Sequence, residues 1–326
     1  MTFAYANMPL DRCTNQRNNK RWLAAEFNHD NTVFCVINDG MCLVDNSKVI
    51  SPIYLNKAQL PTVNIASCIY LGKTSVSGDK SQSSSIFAID FKKLRFSTQE
   101  ELTELGQWQK LRGITPNLTA IDASILALAK GLVYWHTSHQ FCGLCGNTSL
   151  AVEAGHARRC TDCRNMTFPR TDPAVIMLVE KMFDDGIARC LLGRQASWDK
   201  GVYSILAGFV DPGETFEQAV VREVVEETAV IAQNPQYIAS QPWPFPASIM
   251  IGFTAEAISD VIDVSQDALE NAQWFSREQL NSFGVKGDGL ESGKDSANKL
   301  LYKMSSSDSI SAYLINAWKN KEIGKY

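Results

Sequence analysis

The stretch whose reading decides the fold is G208-F-V-D-P-G-E214-T-F-E-Q-A-V-V-R222-E223-V-V-E226-E227-T-A-V230. Its spacing predicts a helix over 216–230, entered through a Pro212-Gly213 turn. At ~100° per residue and with Glu223 at zero, Glu226 falls near about −60° and Glu227 near about +40°, while Val221, Val224 and Val225 occupy about 100° to 200°. One face is carboxylate and the other is valine. Acids at i, i+3 and i+4 repel one another by a few tenths of a kcal/mol per pair, roughly 0.2–0.5, and a divalent cation removes that conflict. Hard oxygen ligands suit Mg2+ or Mn2+, which in turn suit phosphate oxygens. A solvated acidic face would account for E-x-x-E-E alone. It does not account for Gly208, the turn, Glu214 and Arg222 at these spacings.

Outward from the helix, 174–179 and 190–192 read as short buried strands, 208–213 as a loop, 248–257 as a strand and 273–275 as a last strand before another helix. The glycine-rich stretch 284–293 reads as a mobile loop. Upstream, C142-G-L-C145 and C160-T-D-C163 form two C-x-x-C pairs separated by a span that suits one four-thiolate zinc site. Gly143 and Gly146 suit knuckles in which backbone N–H groups approach the sulfurs. With sulfur at all four corners the zinc is structural, one per chain. The five other cysteines lie mostly among apolar residues and read as small buried hydrophobes. His136, His139 and His156 read as packing or hydrogen-bonding groups of the ribbon. Arg158, Arg159, Arg164 and Arg170 form either a solvated face or a phosphate-facing patch for a nucleotide or RNA.

The run 122–135 has apolar residues on a helical period and leads into the ribbon. Before it, 33–37 and 41–44 flank Asn38-Asp39-Gly40, a good hairpin turn. Strands are expected at 63–71 and 86–91, with a Ser-rich loop over 74–85 between them. No catalytic constellation stands in this segment. The chain has 326 residues, a net charge of −4 and 45% hydrophobic residues. These figures fit two or three packed domains and argue against a surface coated in basic charge. No apolar run approaches the ~18 residues of a membrane span, and the N-terminal stretch does not resemble a secretory signal. Paired cysteines without such a signal point to a reducing compartment, and cytoplasm is the expected location.

The pattern G-x5-E-x7-R-E-U-x-E-E-x-G-U, where U is bulky aliphatic, is the Nudix box, and 208–230 resembles it with one departure: Ala229 stands where the family has Gly. Downstream, S240-Q-P-W-P-F-P-A-S248 resembles the array of the NADH pyrophosphatase and NAD-capped RNA hydrolase branch. Its prolines stiffen the backbone and would hold Trp243 and Phe245 for stacking, although a bland Pro-aromatic turn reads equally well without context. The four-cysteine ribbon and the β-rich N-terminal segment are similar to that branch too.

The resemblance implies an α/β (α+β) chain with a β-rich N-terminal domain (1–118), a helix and zinc ribbon (119–170) and a C-terminal Nudix α/β/α sandwich (171–326). It implies cleavage of NADH and NAD+ to nicotinamide mononucleotide and AMP, removal of NAD caps from RNA, and a homodimer. Carried over residue by residue, the catalytic and metal carboxylates are Glu223, Glu226 and Glu227, with the Ala207 carbonyl and Glu270 as further Mg2+ or Mn2+ ligands. The substrate residues are Gln241, Pro242, Trp243, Pro244, Phe245, Pro246, Ala247 and Ser248, with Phe168, Phe209 and Ala297. Glu223 and Glu226 both remain candidates for the base. Decapping as the main role, or an inactive nucleotide sensor, are the competing readings.

Overall fold

The computed structural model describes residues 3–45, 47, 49–74, 83–266, 268–285 and 302–326. The chain forms two compact units: Met1–Thr171 with Trp243–Ala247, and Asp172–Pro242 with Ser248–Tyr326.

In the first unit, Val33–Asn38 and Met41–Asp45 pair as Ile37↔Cys42 and Asn38↔Met41. The two-residue loop has φ of 46° at Asp39 and 77° at Gly40, the left-handed pair that suits the twist of a hairpin. Val33–Asn38 is also parallel to Ser85–Asp90, which pairs antiparallel with Cys68–Thr74, at the centre of an eight-stranded sheet. Alternation sorts the side chains. Cys35, Ile37, Cys42 and Ile86 enter one core, and Phe34, Val36, Leu43 and Phe87 the other.

The first core is completed by Ile125, Leu126, Ala129, Leu132 and Val133 of helix Ala120–Ser138. This helix therefore supplies a core layer of the N-terminal sheet, where the sequence reading had grouped it with the ribbon. The second core includes Phe27 at the end of helix Lys20–Phe27. Each fully buried large apolar side chain contributes about 1.5–3 kcal/mol. The expected strand at 63–71 begins later, at Cys68, because Asn64 caps a 3-10 turn over Ile65–Ser67. Residues 75–82 of the expected serine-rich loop lie outside the described residues. The ribbon is a three-stranded sheet of Ser149–Val152, Ala157–Cys160 and Met166–Thr167.

The second unit is built on a six-stranded mixed sheet. Asp172–Met182 is its hub, parallel to Ser248–Ala257 from Asp172↔Ser248 to Glu180↔Glu256 and antiparallel to Ala188–Gln195 and Leu206–Phe209. The expected loop at 208–213 thus starts inside a strand. Helix Phe216–Thr228 buries Ala219, Val220 and Val224 with Val175, Met177, Val179, Leu191 and Phe253. Helix Ile310–Lys319 packs on Ser248–Ala257 at Gly252, where a Cβ would lie 2.8 Å from Ile310 Cδ1. Glu180, 1% exposed, accepts hydrogen bonds from Trp318 Nε1 at 2.7 Å and the Lys325 backbone N–H at 2.5 Å. Gly284–Val285 is a short strand, and 286–293 of the expected mobile loop lie outside the described residues. Among the described residues no helix is long and apolar enough to cross a membrane.

Candidate active site and zinc ribbon

The carboxylate helix starts at a reciprocal cap. Thr215 Oγ1 accepts the Gln218 N–H at 3.2 Å, and Gln218 Oε1 accepts the Thr215 N–H at 2.9 Å. In the turn ahead of it, Glu214 Oε2 accepts the Asp211 N–H at 3.0 Å, and Gly213 has φ 98°. Arg222 gathers the site. Its Nε and Nη2 donate to the two oxygens of Glu214 at 2.6 and 2.8 Å, its Nη1 to Glu223 at 2.9 Å and Glu226 at 2.8 Å, and its Nη2 also to the Phe209 carbonyl at 2.8 Å. The Arg222 hydrogen bonds, with that from Asp211, hold the Glu214 carboxyl down to about 2. The same carboxylates push the Arg222 pKa up.

The glutamates are graded in exposure. The Glu226 side chain is 53% exposed, that of Glu223 12%, and Glu227 as a residue 9%. The expected valine face is shifted accordingly. Val225 is 42% exposed and Val221 half-buried, while Val220 and Val224 are fully buried. The helix rests on the sheet along 220–224–227, which leaves Glu227 at the edge of the core. Gly208 meets this helix closely: a Cβ there would fall 1.8 Å from Glu223 Cδ. Only a bare backbone allows the Glu223 carboxylate to lie against the strand that carries Ala207.

One guanidinium thus serves a loop and helix that hold Glu214, Glu223, Glu226 and Glu227, leaving a surplus of negative charge that a hard divalent cation fits. The carboxylates do not converge as tightly as the cysteines. Among the described residues only Cys142, Cys145, Cys160 and Cys163 bring three or more potential ligand atoms within 4.8 Å of one another. Glu270, expected as a later metal ligand, forms an ion pair with Arg194 on the neighbouring strand. Arg194, whose Nη2 also donates to the Trp198 carbonyl at 3.1 Å, was not singled out from sequence. Both residues line a cavity of about 350 Å3 with Lys200, Tyr203, Asn271 and Gln273. There Tyr203 Oη donates to Asn271 Oδ1 at 2.7 Å. No periodicity or motif marks these residues, because strand register alone brings them together.

The proline-aromatic array is divided between the two units. Gln241 is fully buried. Its Oε1 accepts the Ile310 N–H at 2.7 Å and its Nε2 donates to the Asp308 carbonyl at 2.8 Å. It ties down the start of the last helix, and so does not stand open as the expected substrate contact. Trp243 and Phe245 belong to the first unit and pack on its core. Tyr5 meets both rings edge-on, Arg112 lies 5.1 Å from the Trp243 ring and Lys130 5.1 Å from that of Phe245. Lys130 Nζ also donates to the Pro244 carbonyl at 2.6 Å. The rings expected as a free stacking platform are therefore already engaged on one side. Pro242 and Pro246 are exposed, Pro244 is buried, Ala247 is half-buried and Ser248 opens a strand. Phe168 and Phe209 are 61% and 58% exposed. Ala297 lies outside the described residues.

In the ribbon, Cys142 and Cys163 sulfurs are 3.6 Å apart, Cys145 and Cys160 3.4 Å, and Cys145 and Cys163 3.5 Å. Those separations approach the ~3.8 Å edge of a tetrahedron with ~2.3 Å Zn–S bonds. The Leu144 and Asp162 N–H groups each point at a sulfur at 3.4 Å. Hydrogen bonds from the Cys145 and Leu144 backbones hold the Cys142 thiol down, while the neighbouring sulfurs push the Cys163 thiol up. Gly146 has φ 74°, and Arg164 takes the same place in the second knuckle with φ 64°. The expected need for Gly143 is absent, since a Cβ there would meet nothing within 4 Å.

Arg158, expected on a solvated or phosphate-facing surface, is 9% exposed. It donates to Ser149 and to His136 Nδ1, while His136 Nε2 donates to the Gly155 carbonyl. His156 Nε2 lies 2.6 Å from the Tyr70 carbonyl. Burial lowers both histidines to about 4. Of the five scattered cysteines, Cys35, Cys42, Cys68 and Cys190 are buried and Cys13 is half-buried; burial pushes the Cys42 and Cys68 thiols up to about 12.

Comparison with known proteins identifies the domains. Models of the rudimentary NUDIX domain of NADH pyrophosphatases, their zinc ribbon, and the NUDIX domain match residues 31–135, 137–168 and 170–293 in turn. Human NAD-capped RNA hydrolase NUDT12 is 35% identical over 320 residues, covering 85% of this chain and 67% of the relative. Mouse mitochondrial NAD(P)H pyrophosphatase NUDT13 is 39% identical over 216 residues, 65% of this chain and 59% of its own. NAD-capped RNA hydrolase NudC of Mycobacterium bovis is 36% identical over 209 residues, 64% of each chain. With a carboxylate helix bound by one arginine, a four-cysteine ribbon and relatives similar over most of its length, this chain belongs to the Nudix hydrolase family, in the branch that carries the NADH pyrophosphatase zinc ribbon.

Proposed function

We propose that the protein hydrolyses the pyrophosphate of NADH and NAD+ to nicotinamide mononucleotide and AMP, and releases the same cap from RNA 5′ ends. The carrying observation is the Arg222 network with its surplus of carboxylates, set against a strand that Gly208 leaves bare. Glu223, Glu226 and Glu227 would hold Mg2+ or Mn2+ with the Ala207 carbonyl, and Glu270 would join them on leaving Arg194. When bound, the cations supply positive charge to the pyrophosphate oxygens and acidity to a water. Glu226, the most solvent-exposed of the three, would accept the proton of the attacking water. Glu214 and Arg222 keep Glu223 and Glu226 aimed, and Phe209 and Phe168 offer exposed rings to the substrate.

Assay of AMP release from NADH, NAD+ and NAD-capped RNA, with Mg2+, Mn2+ or a chelator, tests the reading. Metal-dependent AMP release from at least one of the three is expected, and none from any would sink it. The ratio of rates decides between free dinucleotide and capped RNA. The zinc is structural in this reading, and the cysteine chemistry suits the cytoplasm. The expected homodimer is checked by sedimentation.

A further inference from the structure

The first unit holds an open cavity of about 800 Å3 that the hydrolytic chemistry does not use. Its size falls in the range of small-molecule sites, roughly 300–1,000 Å3. One wall is the start of helix Lys20–Phe27 with the segment before it, and the other is the ribbon hairpin Ser149–Val152 and Ala157–Cys160. Tyr70 and Phe87 form the floor but are 0% and 1% exposed, so no ring face is open for stacking. The apolar surface is aliphatic, from Leu23, Ile65, Leu150 and Val152, and Leu150 is 63% exposed.

Arg17, Lys20, Arg159 and Arg164 also line the cavity, against a single acid, Glu153. Among the described residues, Lys20, Arg159 and Arg164 pair with no carboxylate. The walls stay positive even after Glu153 and the two net negative charges of a zinc tetrathiolate are counted, in a chain of net charge −4. Arg164 is held at φ 64°, where the other knuckle uses Gly146. The left-handed region disfavours residues other than glycine, and here it is occupied by a charged residue of the cavity lining.

We propose that this cleft binds a nucleotide, with its phosphate among the four cations and its base on the aliphatic wall. Guanidinium groups suit phosphate by bidentate hydrogen bonding, and a planar base needs an apolar surface without requiring an aromatic one. The inference rests on residues of the first unit alone and stands whether or not the hydrolytic reading does. Two sources share this chemistry, a free mononucleotide and the first nucleotides of an RNA.

Photolabelling of the full-length, zinc-loaded protein with an azido-adenine mononucleotide, followed by peptide mapping, tests it. Label is expected in peptides spanning 17–24 or 148–164. Lys20→Glu and Arg159→Glu should each cut that label at least tenfold, with the thermal midpoint unchanged and, for Lys20→Glu, with hydrolysis of free dinucleotide unchanged. Zinc content is measured in both, and if Arg159→Glu loses zinc, Lys20→Glu decides. Displacement of the label by AMP at lower concentration than by a five-nucleotide RNA assigns the free nucleotide, and the reverse order assigns the transcript. Label confined to 206–275, or label in the cleft that neither charge reversal reduces, overturns the proposal.

Discussion

Helix Phe96–Leu105 carries three glutamates and helix Phe216–Thr228 four, and the two helices set theirs in very different surroundings. In Phe96–Leu105 the acids are Glu100, Glu101 and Glu104, all exposed. In Phe216–Thr228 the acids run from exposed Glu226 to buried Glu227, and Arg222 donates to two of them and to Glu214. The first helix has a solvated acidic face whose charges water screens. The second confines like charges beside a sheet, where their repulsion is expensive unless a cation answers it. Acid spacing is common to both. The arginine, the bare glycine and the burial are not.

The widest gap between the two helices should appear in turnover. Glu227→Gln is expected to lower kcat on the order of 10²–10³-fold with the fold intact by circular dichroism, whereas Glu100→Gln, Glu101→Gln and Glu104→Gln together should leave it unchanged. Near-normal turnover in the first variant breaks the comparison. Gly208→Ala sharpens it, because the methyl displaces Glu223 without removing a carboxylate. Weaker Mn2+ binding by about 10–100-fold is expected, measured by titration of the paramagnetic ion.

A further test concerns the two half-buried histidines beside the ribbon, His136, which meets Arg158, and His156, which meets the Tyr70 carbonyl. The folded pKa of His136 and of His156, about 4, lies below the ordinary 6.5, so the unfolded chain takes up protons first as pH falls. Their stabilisation is complete above pH 6.5 and lost between 6.5 and 4, at most about 3 kcal/mol each. Urea unfolding across that window should show the loss, and His156→Asn should flatten it. A slope unaffected by the substitution would show that His156 is not its source. The smallest effect is expected at Ala229, the residue that ends the carboxylate helix at φ 58°. Ala229→Gly should stabilise by up to about 1 kcal/mol, read as a rise in thermal midpoint.

The carboxylate helix and the cysteine quartet were legible because their chemistry is local. A ligand pair or a charge stripe is set by spacing within one element, and the Nudix resemblance rests on those spacings. The surroundings of Val225, Gln241, Trp243 and Glu270 were not legible, for the opposite reason. Which helix face meets the sheet depends on where Gly208 and the strand beneath it lie. Gln241 is claimed by Ile310, and Glu270 by Arg194, through register and chain return. Trp243 looks like an exposed aromatic until Tyr5 and Arg112, each more than a hundred residues away, are folded onto it. The N-terminal sheet was partly legible. Its hairpin turn is spelled by Asp39-Gly40, but its first core is completed by helix Ala120–Ser138, which the cysteines made look like part of the ribbon.

Glu180 has an implication for the order in which the second unit is completed. It stands in the hub strand, yet its buried oxygens accept hydrogen bonds from Trp318 and Lys325, about 140 residues later. Until those donors dock, the strand holds a carboxylate that a dry interior cannot accept without water beside it. The sheet can therefore close over its hub only when the segment that carries Trp318 and Lys325 has docked, and that segment acts as its latch.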